Sequence, residues 1–564
     1  MNTKNLIWIL PLFVTIPVAC RTPHYTKTLY TEEKEHSGTA LSKNTPEQHK
    51  LRGISYFEKG MTDEALEALR LATGELPHDA ESHHYLGKVL YENGTLDEAI
   101  SSLLAAISYY KPTDSVKRAE AYHDLGLAYN DKNMLSESLS ALKNCLGLNP
   151  SMADAHYDIG VLYYKENMID EGIHHIEKSI TLDPNNADAH FTLGLIYYTE
   201  KSMDKSIREF KKAIEQDPHD AEAHNYLGLL YYKLGSFEES IDQHRTAVRL
   251  NNNYTDAYNN LGIALTKKNN LKDAADSFKK ALELEPDFAE AHYNLGFACY
   301  AEGNFTDAVA SLKQAVKLNP EIAEAHFLLG KIYAENNMLD KALSEYKKAI
   351  TADPASAEAY YNYAKINAIQ GRHDVSTAAW KKVIELDPRN ADAYFNLGVA
   401  YYNQGNLDSA ISMWNKVTEI KPGDFDALTS LADAYDRKGF IDKTIQTWKK
   451  LTDTYPDRAE FYYQLGNAYV RKSMYAAALI QWEKAVKINP TFADAYYNLG
   501  LVYQKTGKTD EAVEAYKKVL DIDANDRETH KNLGLLYKDK GMDVEAESEF
   551  AIYHILQTAQ KKNN

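Results

Sequence analysis

Residues 153–186 read ADAHYDIGVLYYKENMIDEGIHHIEKSITLDPNN, and residues 187–220 read ADAHFTLGLIYYTEKSMDKSIREFKKAIEQDPHD. The second segment repeats the first almost position by position. Self-similarity at a fixed period indicates a repeat array, in which each unit buries its apolar face against its neighbours. A length of 564 residues would by itself suggest several domains. The repeat indicates one array of similar units instead.

Small residues mark the period along the chain. One glycine or alanine stands at the same place in every unit, 34 residues after the one before, except for a step of 39 from Gly87 to Gly126. The five extra residues predict a small loop insertion near Pro112. The markers are Gly53, Gly87, Gly126, Gly160, Gly194, Gly228, Gly262, Gly296, Gly330, Ala364, Gly398, Ala432, Gly466, Gly500 and Gly534. Fifteen units begin near residues 46, 80, 119, 153, 187, 221, 255, 289, 323, 357, 391, 425, 459, 493 and 527.

Each unit carries two helical patterns. In the unit that begins at Ala289, AEAHYNLGFACYAE and FTDAVASLKQAVKLNP both place apolar residues three and four positions apart. The dipeptide GN separates them, and Pro320 ends the second because proline cannot continue a helix. Positions are counted from the first residue of each unit. Positions 8, 20 and 27 hold small residues in most units, which allows two antiparallel helices to approach closely. Each unit is therefore predicted to be a helix-turn-helix pair.

These positions resemble the tetratricopeptide repeat (TPR) family over residues 46–556. One unit matches the family pattern with Tyr394, Leu397, Gly398, Tyr401, Ala410, Trp414 and Pro422. The first unit departs from it with Arg52 in place of leucine, and the last with Tyr553 in place of a small residue. The resemblance implies an all-α, right-handed superhelical solenoid of about fifteen repeats with a concave groove.

In TPR proteins, positions 2, 5, 6, 9, 12 and 13 of the first helix line this groove. Position 6 is repeatedly asparagine, whose amide can bind a peptide backbone through both a donor and an acceptor. The repeat array of O-GlcNAc transferase has a similar asparagine row. The predicted peptide-binding residues at position 6 are Asn260, Asn294, Asn362, Asn396, Asn498 and Asn532. Those at position 5 are Tyr293, Phe327, Tyr361, Phe395 and Tyr497. Two alternatives stay open: the asparagines bind only water, or the aromatics only pack between helices.

Several other functions are disfavoured by the sequence. A net charge of −18 argues against nucleic-acid binding, which needs a basic face. Acidic residues at position 2 and aromatics at position 5 do not build the clamp that some TPR proteins use for chaperone tails. Histidines recur at position 4, but packed helices lie about 8–10 Å apart, so equivalent histidines of successive repeats cannot share a metal. No catalytic motif is found, so we expect no enzyme activity, metal or cofactor.

The amino-terminal segment predicts export. MNTKNLIWILPLFVTIPVAC has a positive start, a short apolar run and a small residue before Cys20, as signal peptides do. The ending resembles a bacterial lipoprotein signal, which implies a signal peptide at residues 1–19, lipidation of Cys20 and a flexible lipid-anchored tether over residues 20–45. An ordinary cleaved signal or a short uncleaved anchor is the alternative. Because Arg21 rather than aspartate follows, the outer membrane facing the periplasm is the predicted location. Residues 557–564 form a basic carboxyl-terminal tail.

Together these features predict a non-catalytic protein-protein interaction scaffold of the bacterial cell envelope. It would capture unidentified peptide or helix segments in the groove, for assembly of an envelope complex. Two alternatives remain: a structural protein that self-associates into homo-oligomers, and the TPR subunit of a glycosyltransferase-type enzyme complex.

Overall fold

The computed structural model describes residues 45–562, so the predicted signal peptide, Cys20 and nearly all of the tether lie outside the described residues. The described part contains thirty helices and no strand. It belongs to two compact units, the first ending at Asn319 and the second beginning at Pro320. The all-α repeat fold predicted from the 34-residue period is confirmed.

The first unit contains sixteen helices. They are α1 (Pro46–Glu58), α2 (Thr62–Glu75), α3 (Ala80–Glu92), α4 (Leu96–Tyr109), α5 (Ser115–Asp131), α6 (Leu135–Leu148), α7 (Ala153–Lys165), α8 (Ile169–Leu182), α9 (Ala187–Thr199), α10 (Met203–Gln216), α11 (Ala221–Lys233), α12 (Phe237–Leu250), α13 (Thr255–Lys267), α14 (Leu271–Leu284), α15 (Ala289–Glu302) and α16 (Phe305–Leu318).

The second unit contains the remaining fourteen helices. They are α17 (Ala323–Glu335), α18 (Leu339–Ala352), α19 (Ala357–Ile369), α20 (His373–Leu386), α21 (Ala391–Asn403), α22 (Leu407–Ile420), α23 (Phe425–Arg437), α24 (Ile441–Thr454), α25 (Ala459–Arg471), α26 (Tyr475–Ile488), α27 (Ala493–Lys505), α28 (Thr509–Ile522), α29 (Arg527–Asp539) and α30 (Asp543–Lys562).

The odd-numbered helices, called A helices below, open the repeats, and the even-numbered helices, called B helices, close them. Within each unit, an A helix packs against the B helix of its own repeat, and that B helix packs against the next A helix. The contact within a pair is close. A Cβ atom added at Gly398 would lie 2.4 Å from Nε1 of Trp414, and one at Gly296 would lie 2.6 Å from Cγ of Leu312. The small residue at position 8 is thus explained by the large side chain at position 24 of the same repeat.

Every turn between an A helix and its B helix contains one residue whose backbone is in the left-handed region, with a positive φ. In the eighth repeat this is Gly303, with φ of 90°, whose amide donates to the carbonyl of Tyr300 at 3.0 Å. The next amide, of Asn304, donates to the carbonyl of Cys299 at 2.9 Å. These two bonds satisfy carbonyls that the end of the helix leaves without partners.

The five-residue insertion is not the loop that the sequence suggested. Helix α4 ends at Tyr109 and α5 begins at Ser115, so the connection is only about as long as those between other repeats. Most of the insertion instead extends α5 at its amino-terminal end, to 17 residues where other A helices have 13 or 14. The prediction of a loop was wrong because Pro112 lies before the added segment SVKR, which contains no residue that breaks a helix.

Candidate protein-binding surface

The candidate surface is the A face, defined as the side chains at positions 2, 5, 6, 9, 12 and 13 of the A helices. In most of the first unit the central positions of this face, 5, 6 and 9, are closed. From the third repeat to the eighth, every side chain at positions 5, 6 and 9 is buried. In the fifth repeat these are Phe191, Thr192 and Leu195. In the eighth they are Tyr293, Asn294 and Phe297.

Direct packing of successive A helices closes the A face of the first unit. Helix α7 contacts α9, α11 contacts α13, and α13 contacts α15. In those helices the apolar positions extend around most of the circumference, as expected for a helix that is enclosed on nearly all sides. The A face of this unit therefore contributes to the core.

A line of hydrogen bonds joins the A helices of the first unit. In each case a side chain at position 5 pairs with the position 6 side chain of the next repeat. The bonds are His84 to Asp124 at 2.7 Å, His123 to Asp158 at 2.7 Å, Tyr157 to Thr192 at 3.1 Å, Asn225 to Asn260 at 3.2 Å and Asn259 to Asn294 at 3.0 Å. The asparagine row of this unit thus holds neighbouring repeats together.

Two of these bonds involve buried charge. Burial disfavours the ionised form of Asp124, but the hydrogen bond from His84 and the nearby charge of Lys88 outweigh it and lower the pKa of the carboxyl group. Burial likewise disfavours the charged form of His123, yet the hydrogen bond to Asp158 raises the pKa of this imidazole. The contact with Asp158 therefore favours the charged form of His123 between repeats.

The A face of the second unit is open after the ninth repeat, in which Leu328 at position 6 is still buried. From the tenth repeat to the fifteenth, no side chain at positions 5, 6 or 9 is buried among the described residues. Asn362 and Asn396 are half-buried, and the Nδ2 of each donates to a carbonyl of its own helix, at 2.9 and 2.7 Å. Asn498 and Asn532 instead reach the preceding repeat, at Tyr463 and Tyr497.

The predicted aromatics of the second unit are half-buried as well. Each contacts the ring at position 24 of its own repeat: Tyr361 meets Trp380 edge to face, with ring centroids 4.9 Å apart, and Phe395 lies tilted against Trp414 at 6.4 Å. One side of each ring is thus used in packing and the other part remains accessible. Packing by the aromatics, one of the alternatives left by the sequence, is thus observed, and a role in binding stays a prediction.

The structure thus separates the predicted site residues into two groups. It buries Asn260, Asn294 and Tyr293, which lie in the first unit and pack between repeats. The other eight lie half-exposed on the second unit: Asn362, Asn396, Asn498, Asn532, Phe327, Tyr361, Phe395 and Tyr497. For these the binding role stays a prediction.

Three exposed apolar side chains at A-face positions of the second unit were not predicted. Ile369 at position 13 is 66% exposed, and Leu501 and Leu535 at position 9 are 39% and 41% exposed. Their positions belong to those that line the groove in TPR proteins, so an apolar residue at these positions was the available signal. Exposed apolar side chains beside half-exposed amides make this face suited to bind protein segments.

The described residues, 45–562, also bear on other kinds of site. In this range no three His, Cys, Asp or Glu side chains are grouped so as to hold a metal ion. None of the helices described here has both the length and the apolar character of a membrane-spanning segment. Cys145 and Cys299 are buried, and burial raises the pKa of the Cys145 thiol to about 12. They pack as small apolar residues in the core.

The packing of successive helix pairs places the chain in the class of helical repeat proteins. Family models described as TPR repeat or tetratricopeptide repeat match residues 50–113, 119–152, 153–186, 196–301, 289–314, 466–507 and 493–526. The model described as the TPR domain of cytochrome c-type biogenesis protein H matches residues 304–427. The chain belongs to the tetratricopeptide repeat family.

The solved structures that are similar to this chain include the following three. The crystal structure of MamA is 32% identical, covering 29% of this chain and 97% of its own, with a TM-score of 0.28. That of YrrB, described as a TPR protein with an unusual peptide-binding site, is 28% identical and covers 39% of this chain and 96% of its own, with a TM-score of 0.25. The match to the Cut9-Hcn1 hetero-tetramer of APC/C is 16% identical in sequence. It covers 87% of this chain and 96% of the matched chain, with a TM-score of 0.31. No curated protein matches the chain.

Proposed function

We propose that this protein is a non-catalytic scaffold that captures an extended or helical protein segment on the A face of the second unit. The observation that carries the proposal is a contrast along the chain: positions 5, 6 and 9 are buried from the third repeat to the eighth and accessible from the tenth to the fifteenth. A repeat architecture of this kind is typical of protein-interaction scaffolds.

The amides of Asn362 and Asn396 supply the recognition chemistry. Each uses one N–H bond on its own helix, which leaves the second N–H and the carbonyl oxygen to a bound peptide backbone. Tyr361 and Phe395 stand beside them and offer apolar edges to side chains of the ligand. Backbone recognition of this kind gives low sequence specificity, which suits a scaffold with several clients.

The test compares two variants of the full chain in affinity purification with mass spectrometry of the captured proteins. The A-face variant carries Asn362→Ala and Asn396→Ala. The control variant carries Ser344→Ala and Ser412→Ala, two neutral changes at exposed positions of B helices. A captured protein is then titrated in purified form against all three chains.

We expect the A-face variant to lose at least tenfold in affinity, since two amide contacts are removed, while the control binds as the native chain does. Equal binding by both variants would refute the proposed surface. Oligomers of the chain without any other bound protein would support the self-associating alternative. A stoichiometric glycosyltransferase among the captured proteins would support the enzyme-subunit alternative.

We also propose that the scaffold acts in the bacterial envelope, anchored through Cys20. The support is the order of charged, apolar and small residues before Cys20, together with the match of residues 304–427 to a cytochrome c biogenesis TPR domain. The test is metabolic labelling with a radioactive fatty acid and membrane fractionation of the native chain and of Cys20→Ser. Label and membrane association are expected only for the native chain. An unlabelled native chain in the soluble fraction would refute the anchor.

A further inference from the structure

A recurring contact of this array links position 4 of an A helix to position 23 of the B helix in the same repeat. Nδ1 of the position 4 histidine contacts a side-chain oxygen 19 residues later in four repeats. These contacts are His190 to Glu209 at 2.7 Å, His224 to Gln243 at 2.7 Å, His326 to Glu345 at 2.6 Å and His530 to Glu549 at 2.5 Å. Because each oxygen accepts, Nδ1 carries a proton in these repeats.

The fourth repeat breaks this rule. Its position 4 residue is His156, and position 23 is His175, so a second imidazole stands where the other repeats have a carboxylate or amide oxygen. The two Nδ1 atoms lie 3.1 Å apart, and the ring centroids lie 5.2 Å apart. Both side chains are partly exposed, so ions from solvent can reach them.

The backbone fixes the tautomer of the first imidazole. Nε2 of His156 lies 3.3 Å from the carbonyl oxygen of Pro150, which can only accept, so the proton is on Nε2. The Nδ1 lone pair of neutral His156 then faces His175. A histidine that donates its remote N–H to a backbone carbonyl is oriented in the way that metal-binding histidines are.

The surroundings keep both rings neutral. Burial, with Lys178 and His174 nearby, lowers the pKa of His156. Burial, together with His156, His174 and Lys143, lowers the pKa of His175 to about 4. Each neutral ring carries a single proton, so metal binding requires only that the His175 proton move from Nδ1, where it forms the hydrogen bond to His156, to Nε2. The same lysines repel a bound cation, which limits the affinity to a moderate value.

We propose that His156 and His175 form a two-imidazole binding site for a divalent transition-metal ion, with Zn²⁺ as the reference ion and water completing its coordination. Two nitrogens bound to a tetrahedral zinc ion at about 2.0–2.1 Å lie about 3.3 Å apart, close to the distance found here. The ion would join α7 to α8 and stabilise the helix pair. The site is independent of the binding face proposed for the second unit.

The chain offers a matched variant for the test. His175→Gln recreates the pair of His224 and Gln243 in the sixth repeat, so it removes one metal ligand while it keeps a hydrogen bond that this fold already uses. His174→Gln is the control, because this exposed neighbour makes an edge contact with His175 but is no ligand in the proposal. The full chain and both variants are titrated with Zn²⁺ against a colorimetric zinc indicator, and thermal unfolding is followed with and without the ion.

We expect one zinc equivalent bound by the native chain and by His174→Gln, with an affinity at least tenfold weaker in His175→Gln. Zinc should also raise the unfolding temperature of the first two chains and not of the third. An unchanged titration for His175→Gln, or no saturable binding to the native chain, would overturn the proposal and leave a histidine-histidine hydrogen bond. If His175→Gln fails to fold, His156→Gln gives the same comparison.

Discussion

At the scale of single residues, His244 occupies a place where most repeats have a large apolar ring. It stands at position 24, against Gly228, where the neighbouring repeats have Phe210 and Phe278. It is fully buried, and neither ring nitrogen has a hydrogen-bond partner among the described residues. Burial lowers the pKa of His244 to about 3. A neutral imidazole thus substitutes for a phenyl ring at this position.

This burial predicts acid sensitivity. Below pH 6.5 the unfolded chain protonates His244 while the folded chain does not, so stability falls with pH until about pH 3. His244→Phe should remove this loss, which amounts to about 2 kcal/mol at pH 5. Urea unfolding at pH 7.5 and pH 5 measures it, with exposed His219→Phe as control. An equal acid loss in native and His244→Phe chains would contradict the prediction.

Left-handed turn residues provide a second test at this scale. Lys201 has φ of 59° at a place where the next repeat has Gly235 with φ of 79°. A side chain in this conformation costs about 1–2 kcal/mol, part of which the greater flexibility of an unfolded glycine offsets. Lys201→Gly should therefore stabilise the chain by about 0.5–1 kcal/mol, and Gly235→Ala should destabilise it by about 1 kcal/mol. Urea midpoints of the two variants that shift in the same direction would refute this.

At the scale of helices, one residue type has two roles. Asn294 is buried and its Nδ2 donates to Oδ1 of Asn259 in the preceding repeat, whereas Asn396 donates only to its own helix. Both occupy position 6. Their difference follows from the direct contact between α13 and α15, because in the second unit the equivalent face is open.

Substitution of these two asparagines separates packing from binding. Asn294→Ala leaves the buried oxygen of Asn259 without its donor and should cost about 1–3 kcal/mol of stability. Asn396→Ala should change stability by less than about 0.5 kcal/mol, since it removes only a bond to a nearby carbonyl on an accessible face. Chemical unfolding of both variants provides the comparison. Similar losses in the two would mean that Asn396 contributes to packing as well.

Sequence patterns predicted the helices well because their determinants are local. The 3.6-residue periodicity, the prolines after B helices and the small residues at position 8 act within one repeat. The extension of α5 and the pairing of His156 with His175 were missed. The extension of α5 was missed because it depends on which of the inserted residues continue the helix. The contact between His156 and His175 was missed because it depends on how the two helices of one repeat pack against each other.

At the scale of the molecule, the chain consists of two compact units, each with its own core clusters. Phe191, Phe210 and Tyr226 form one cluster in the first unit, and Leu465, Trp482 and Leu499 belong to another in the second. Repeats of this kind are stabilised chiefly by their nearest neighbours. A unit that contains several repeats should thus be stable without the rest of the chain.

We expect residues 320–564, expressed alone, to fold into a helical protein with a cooperative urea transition. The seven repeats of this fragment retain all the contacts between neighbours that lie inside it. Circular dichroism and urea unfolding test the expectation, and the captured protein identified with the full chain should bind the fragment too. A fragment that is unfolded or aggregated would contradict the independence of this unit.

The sequence by itself determined the period, the helix pairs, their turns and the small residues at their contacts, because each of these depends on residues within one repeat. The tertiary structure decided which A faces are accessible. That depends on how closely successive A helices approach, which results from many side-chain contacts summed over neighbouring repeats. Asparagine at position 6 therefore packs between repeats at Asn294, whereas at Asn396 it stays on an accessible face.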